Sequence, residues 1–160
     1  MEILKLVLPI VWAFLAAFLA SFLSLKKFKR EKYWDEKYHA YKNVIESLEE
    51  ILHWAEQARA EHCSEDLINV EADFEGSLRN IRKYTLIGSL LFSEEFLKEL
   101  NALHHEITML RSKIHEESMM DIMNEPEYAK WNFALSVEVK NIVKDRLPYI
   151  INEAKKEIRT

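Results

Sequence analysis

The sequence predicts an all-α protein: an N-terminal transmembrane helix that continues into a cytoplasmic up-and-down bundle of about four helices. Three observations carry that expectation. Two Gly and three Pro in 160 residues leave little turn chemistry for a sheet. Long stretches rich in Ala, Leu, Glu and Lys have high helix propensity. Residues 6–25 hold no charged side chain, and at ~1.5 Å rise per residue a helix of that length matches a hydrocarbon core of ~30 Å. The expected organisation is an anchor at 1–25, a basic juxtamembrane segment at 26–32 and a bundle at 33–160.

The anchor contains AFLAAFLASFLS, residues 13–24, three near-copies of one small-Phe-Leu-small tetrad. At ~100° per residue, Ala13, Ala16, Ala17, Ala20, Ser21 and Ser24 share one face, while Phe14, Phe18, Phe22, Leu15, Leu19 and Leu23 fill the rest. In lipid, small residues four apart let backbones approach closely, so this face predicts packing against a second copy and a homo-oligomer. The bland reading is that Ala, Leu and Phe are simply what single-pass spans are made of. Pro9 falls in the first turn or so of the span, where its missing N–H costs little.

Lys26, Lys27, Lys29, Arg30 and Lys32 follow the apolar run. A cleaved signal peptide would carry its positive charge before a shorter apolar core, so the segment is expected to stay attached. The positive-inside rule then places the N-terminus outside and the C-terminal domain in the cytoplasm, a single pass through a bacterial inner membrane whose lipid the basic side chains face. With Glu31, this cluster contributes +4. Glu2 and Lys5 cancel, so taking +4 from a total of −5 leaves −9 on residues 33–160. An acidic domain is a poor match for a phosphate backbone, and no nucleic acid partner is expected. Cys63 is the only cysteine, which excludes an intrachain disulfide and suits a reducing compartment.

No Gly or Pro occurs between Pro9 and Gly76, so nothing local obliges the first helix to stop at the membrane. Past the basic flank, Trp34, Tyr38, Tyr41, Ile45, Leu48, Leu52 and Ala55 alternate steps of four and three, a heptad seam that Val44, Ile51 and Ala58 widen. Tyr33 and Trp34 also have the amphipathic rings that favour a membrane interface, although the heptad fit of Trp34, Tyr38 and Tyr41 favours core packing. Helix is expected to about His62. Ser64 with Glu65 and Asp66 then reads as the N-cap of a second helix using Leu67, Val70, Phe74, Leu78 and Ile81, with Gly76 inside it. TLIGSLLF, residues 85–92, reads as a buried connector around Gly88. Ser93 with Glu94 and Glu95 opens a third helix, whose core face uses Phe96, Leu100, Leu103, Ile107, Leu110 and Ile114, with Met119 and Ile122 as candidates to extend it, and which ends near Asn124, before Pro126. A fourth uses Trp131, Leu135, Val139, Ile142, Val143, Leu147, Ile150 and Ile151, and Pro148 is expected to kink or divide it.

Six histidines raise the question of a metal. The ExxH pairs Glu36/His39 and Glu50/His53 lie on one helix and off the seam, whereas a di-metal bundle draws such pairs from two different helices. His104, His105 and Glu106 lack a completing HExxH, with Met109 where a second ligand would stand. His62 beside Cys63 lacks a supporting acid. Common phosphate-loop, nucleophile-elbow and CxxC motifs are absent. No enzyme activity, metal or cofactor is therefore expected.

The layout of one N-terminal span, a basic linker, then Trp34 and the pair Ala40-Tyr41 is similar to that of small bacterial single-span membrane proteins with a cytoplasmic helical domain. It also resembles the membrane-anchored accessory protein of type VI-B CRISPR systems, which joins an N-terminal span to a HEPN-like helical domain. That resemblance implies assembly into a membrane-perturbing effector of phage defence. HEPN ribonucleases place four to six residues between an Arg and a His. Arg59/His62 and Arg111/His115 have only two and three residues between them, so RNA cleavage is not implied. The alternative expectation is a membrane-tethered adaptor or scaffold that presents its acidic bundle to a soluble protein partner.

Overall fold

The computed structural model describes the backbone over residues 2–65, 72–119 and 125–159 and side chains over 12–65, 72–116 and 129–158. The elements are α1 (Glu2–His62), α2 (Phe74–Ile87), a 3-10 turn at Gly88–Leu90, α3 (Glu94–Met119) and α4 (Glu125–Arg159). The chain divides into two units, Met1–Tyr38 and His39–Thr160.

α1 runs through the Gly- and Pro-free stretch without interruption. Its stop is made by Ser64, not by a glycine. Ser64 has φ 55°, its N–H donates to the Glu61 carbonyl at 3.2 Å, and the Glu65 N–H donates to the Ala60 carbonyl at 2.9 Å. These two bonds satisfy the orphan carbonyls of the last turn in the Schellman pattern. Arg59 pairs with Glu65 at 2.8 Å across the same turn. The reading of Ser64 as the N-cap of the second helix is thereby corrected: it closes the first. Leu67 and Val70, and the rest of residues 66–71, lie outside the described residues. α2 is instead capped by Asp73, whose side chain accepts from the Gly76 N–H at 2.7 Å. A Cβ on Gly76 would sit 2.0 Å from that carboxylate, so the glycine is what leaves room for the cap.

Within the second unit the helices alternate in direction. Asn43 donates to Tyr84 Oη at 2.8 Å, Asn80 to Ser47 Oγ at 2.7 Å, and Trp54 stacks on Phe74 at 4.2 Å, so α2 runs antiparallel to the last part of α1. Tyr41 meets Phe92 and Phe96 at 4.6 and 4.7 Å, which brings the start of α3 back to the point where the chain enters the bundle. α4 returns antiparallel to α1, with Phe133 against His62 at 4.2 Å and Lys140 paired with Glu56 at 3.2 Å. This is the expected up-and-down arrangement. One core joins Tyr41, Val44, Leu48 and Ile51 to Leu78 and Ile81, to Phe96, Leu100, Leu103 and Ile107, and to Leu135, Val139, Val143 and Ile150.

α3 opens as the sequence reads. Ser93 Oγ accepts from the Phe96 N–H at 3.2 Å, and the Glu157 carboxylate accepts from both the Ser93 N–H and its hydroxyl, tying the end of α4 to the start of α3. The end expected near Asn124, and the Met119 and Ile122 side chains, lie outside the described residues. Pro148 does not divide the last helix, which continues past it to Arg159. The connector differs from expectation. α2 extends to Ile87, and of TLIGSLLF only Tyr84's neighbour across the turn, Gly88, and Phe92 are buried, while Leu86, Ile87 and Leu90 are 72%, 43% and 76% exposed. A Cβ at Gly88 would approach Leu97 Cδ2 and Phe92 Cδ2 at 2.6 and 2.7 Å. That close approach turns the backbone inward at Gly88 and its neighbours outward.

Among the described residues no helix is long and apolar enough to cross a membrane. Of the run expected to do so, residues 6–11 have side chains outside the described set. The remaining part, 12–25, makes about 20 Å of helix against a core of ~30 Å.

Candidate functional site

In the first unit, Ala13, Ala16, Ala17, Ala20, Ser21 and Ser24 lie exposed along α1. So do the large side chains between them: Trp12, Phe14, Leu15, Phe18, Leu19, Phe22, Leu23, Leu25 and Phe28 are 47–77% exposed. Lys26, Lys27, Lys29, Arg30 and Lys32 follow, all exposed. Lys27 and Glu31 approach at 3.7 Å as an i,i+4 pair, and both are too solvated for that pair to contribute more than a few tenths of a kcal/mol.

The seam residues separate into three groups. Tyr41 and Leu48 are fully buried, Ile45 and Leu52 pack half-buried at the core margin, and Tyr38 is 51% exposed. Trp34 is half-buried within the first unit, edge-on to Tyr33 at 6.5 Å and under the Lys37 ammonium at 5.4 Å. The inward line of α1 is Tyr41, Val44, Leu48, Ile51, Ala55 and Ala58, itself a heptad alternation. Two interleaved heptads were present in the sequence, and the one through Val44 and Ile51 faces the core.

No three His, Cys, Asp or Glu side chains among the described residues are grouped to hold a metal ion. Glu50 accepts from the Asp73 N–H at 3.3 Å at the start of α2, and the His53 Nε2 is buried with no hydrogen-bond partner among the described residues. His62 is committed to stacking on Phe133. Cys63 is exposed.

Sequence reasoning missed one charged groove. Between α2 and α3 a cavity of about 430 Å³ is lined by Arg79, Arg82, Arg111, His104, Thr108 and Glu75. Arg111 is paired with Glu75 at 2.9 Å, and Thr108 donates to the His104 carbonyl at 2.8 Å. Burial, the Arg82 charge and His105 together hold the His104 imidazole below its ordinary pKa, so it is neutral near pH 7. Three guanidiniums against one carboxylate make the groove positive on an otherwise acidic domain. The available signal was the i, i+3 spacing of Arg79 and Arg82 on the side of α2 next to Leu78, which lines the same groove. A second ionic feature fastens α3 to α4: Arg146 pairs with Glu106 at 2.7 Å and Glu99 at 3.0 Å, and the Glu106 hydrogen bond raises the guanidinium pKa.

Comparison of the chain with protein-family models, with characterised proteins and with solved structures finds no match.

Proposed function

We propose that the chain is a membrane-tethered helical protein that self-assembles. Its N-terminal helix crosses the bacterial inner membrane once over residues 6–25, N-terminus out, and its bundle works in the cytoplasm. The observation that carries this reading is the exposure, by 47–77%, of nine large apolar side chains from Trp12 to Phe28. Moving that surface out of water is worth on the order of 15–25 kcal/mol, which a bilayer supplies and a lone soluble helix does not. The basic cluster at 26–32 supports the orientation, and the small-residue face from Ala13 to Ser24 supports a second copy as its packing partner. In the form implied by its resemblance, the assembly perturbs the membrane in phage defence.

A second reading is a tethered adaptor that binds a soluble protein through its bundle. The α2–α3 groove favours it, because Arg79 and Arg82 line an open concave surface suited to an acidic segment. One experiment separates the two. The full-length chain in lipid nanodiscs is expected to have the mass of a discrete oligomer that falls to a monomer in the double variant Ala17→Leu/Ala20→Leu. A monomeric wild type defeats self-assembly and leaves the adaptor.

A further inference from the structure

Arginine is handled in two ways within the second unit. Arg59 meets Glu65 at 2.8 Å, Arg111 meets Glu75 at 2.9 Å and Arg146 meets Glu106 at 2.7 Å. The guanidiniums of Arg79 and Arg82 make no ion pair or hydrogen bond among the described residues. Carboxylates are nevertheless in excess, since residues 33–160 carry −9. The two arginines also stand three apart on α2, a spacing at which like charges repel. They are held side by side against that repulsion with their donors unused.

The groove between α2 and α3 brings other groups to them. Glu75 meets Arg111 across it and the Arg82 charge acts on His104, so the two helices run antiparallel and Arg79 stands at the level of Thr108. The helix from Glu75 to Arg82 gives the groove a length of about 10 Å. Leu78, which is buried, supplies an apolar wall. His104 is half-buried and neutral near pH 7, with one ring N–H to donate. Thr108 donates its hydroxyl proton to the His104 carbonyl at 2.8 Å, which leaves its oxygen to accept from a hydroxyl of a ligand. Arg111 faces Glu75 with one terminal nitrogen and keeps its other donors.

We infer that this groove binds a compact phosphomonoester, its phosphate held by Arg79 and Arg82 and its hydroxylated remainder lying toward Thr108 and Arg111. Three guanidiniums less the Glu75 carboxylate leave +2 in the groove. A phosphomonoester carries about −2 near neutral pH and balances that charge, whereas a single carboxylate does not. Each guanidinium fork donates in parallel to two oxygens, and the terminal oxygens of a phosphate can receive both forks. The cavity of about 430 Å³ is also of small-molecule size, which starts at about 300 Å³. An extended polyanion fits less well, because beyond Glu75 the surface continues into a neighbouring hollow lined by Asp73. The site lies wholly within the second unit, so it stands or falls apart from the self-assembly reading.

The test is titration calorimetry of the full-length chain in phosphatidylcholine nanodiscs, in physiological salt near neutral pH, with β-glycerophosphate and inorganic phosphate as probes. The expected result is saturable one-to-one binding that Arg79→Gln or Arg82→Gln weakens about tenfold and Arg59→Gln, outside the groove, leaves unchanged. Both groove arginines are exposed, so these variants keep the wild-type denaturation midpoint. Thr108→Val weakens β-glycerophosphate and spares inorganic phosphate, since only the first brings a hydroxyl. Absence of saturable binding, or binding that survives Arg79→Gln/Arg82→Gln, overturns the proposal. A polyglutamate peptide that binds through the two arginines while β-glycerophosphate does not also overturns it, and assigns the groove to an acidic segment. Phosphatidic acid added to the nanodisc identifies the source of the phosphate. Unchanged binding of the soluble probe places the ligand in solution, competition assigns it to a lipid headgroup, and the phosphomonoester site is upheld by either.

Discussion

Two stretches of the same helix treat their apolar side chains in opposite ways. From Trp12 to Phe28, α1 exposes its Phe and Leu side chains, whereas from Ala40 to Ala58 it buries Tyr41, Val44, Leu48, Ile51 and the alanines between. Both stretches are helical, both repeat apolar residues at three and four, and neither contains Gly or Pro. What differs is the supply of partners. The second stretch has three helices returning along it within its own chain, so its seam is satisfied internally. The first has small residues on one face and bulk on the other, a distribution suited to lipid and to a second copy. Amphipathic spacing therefore states that a face will be covered and leaves open by what.

The sharpest way to break this comparison is to remove the same kind of side chain from each stretch. Leu48→Ala, at a fully buried core position, is expected to cost about 2–5 kcal/mol, read as a lower denaturation midpoint of the full-length protein. Phe18→Ala is expected to leave that midpoint unchanged. Equal effects would mean that the first stretch also belongs to the folded core.

A smaller effect is expected where the helix ends. Ser64 holds a left-handed backbone that a side chain disfavours, so Ser64→Gly should gain up to about 1 kcal/mol in the same measurement. A loss would mean that the Ser64 side chain contributes to the turn beyond the two backbone bonds seen here.

The smallest effect is expected from His104. Burial, then Arg82, then His105 lower its pKa in the folded chain, so the folded state binds fewer protons there than the unfolded state. Stability from this site is complete above the ordinary histidine value of about 6.5 and is lost as pH falls through the lowered folded value. The denaturation midpoint should drop on acidification from about pH 7, and His104→Gln should flatten that part of the profile. An unchanged profile would mean that His104 is solvated and unperturbed.

Much of the bundle was legible because its signals are local. Ser93 with Glu94 and Glu95 marked the start of α3, and the absence of Gly and Pro marked the continuity of α1. The apolar positions of α3 and α4 recur at helical spacing with few competing faces. The α2 start was misread at Ser64 because a serine before two acids has the chemistry of an N-cap. Only the bonds from Ser64 and Glu65 back to Glu61 and Ala60 reveal that it closes the preceding helix. The α2–α3 groove was not legible, since Arg79 and Arg82 are separated in sequence from His104 and Arg111 by more than twenty residues.

By itself the sequence determined helix as the secondary structure, the uncharged run at 6–25 with its basic flank, the acidic balance of the remainder and the periodicity of each apolar face. These depend on propensities and spacings that act within a few turns of chain. Only the tertiary structure decided that Val44 and Ile51 form the inward line with Ile45 and Leu52 at its margin, that Leu86, Ile87 and Leu90 turn outward, and that three arginines share a groove. Adjacent residues on a helix differ by ~100° in direction, so a pattern with two interleaved apolar lines fits the core either way, and the choice falls to the neighbours that fold back against it.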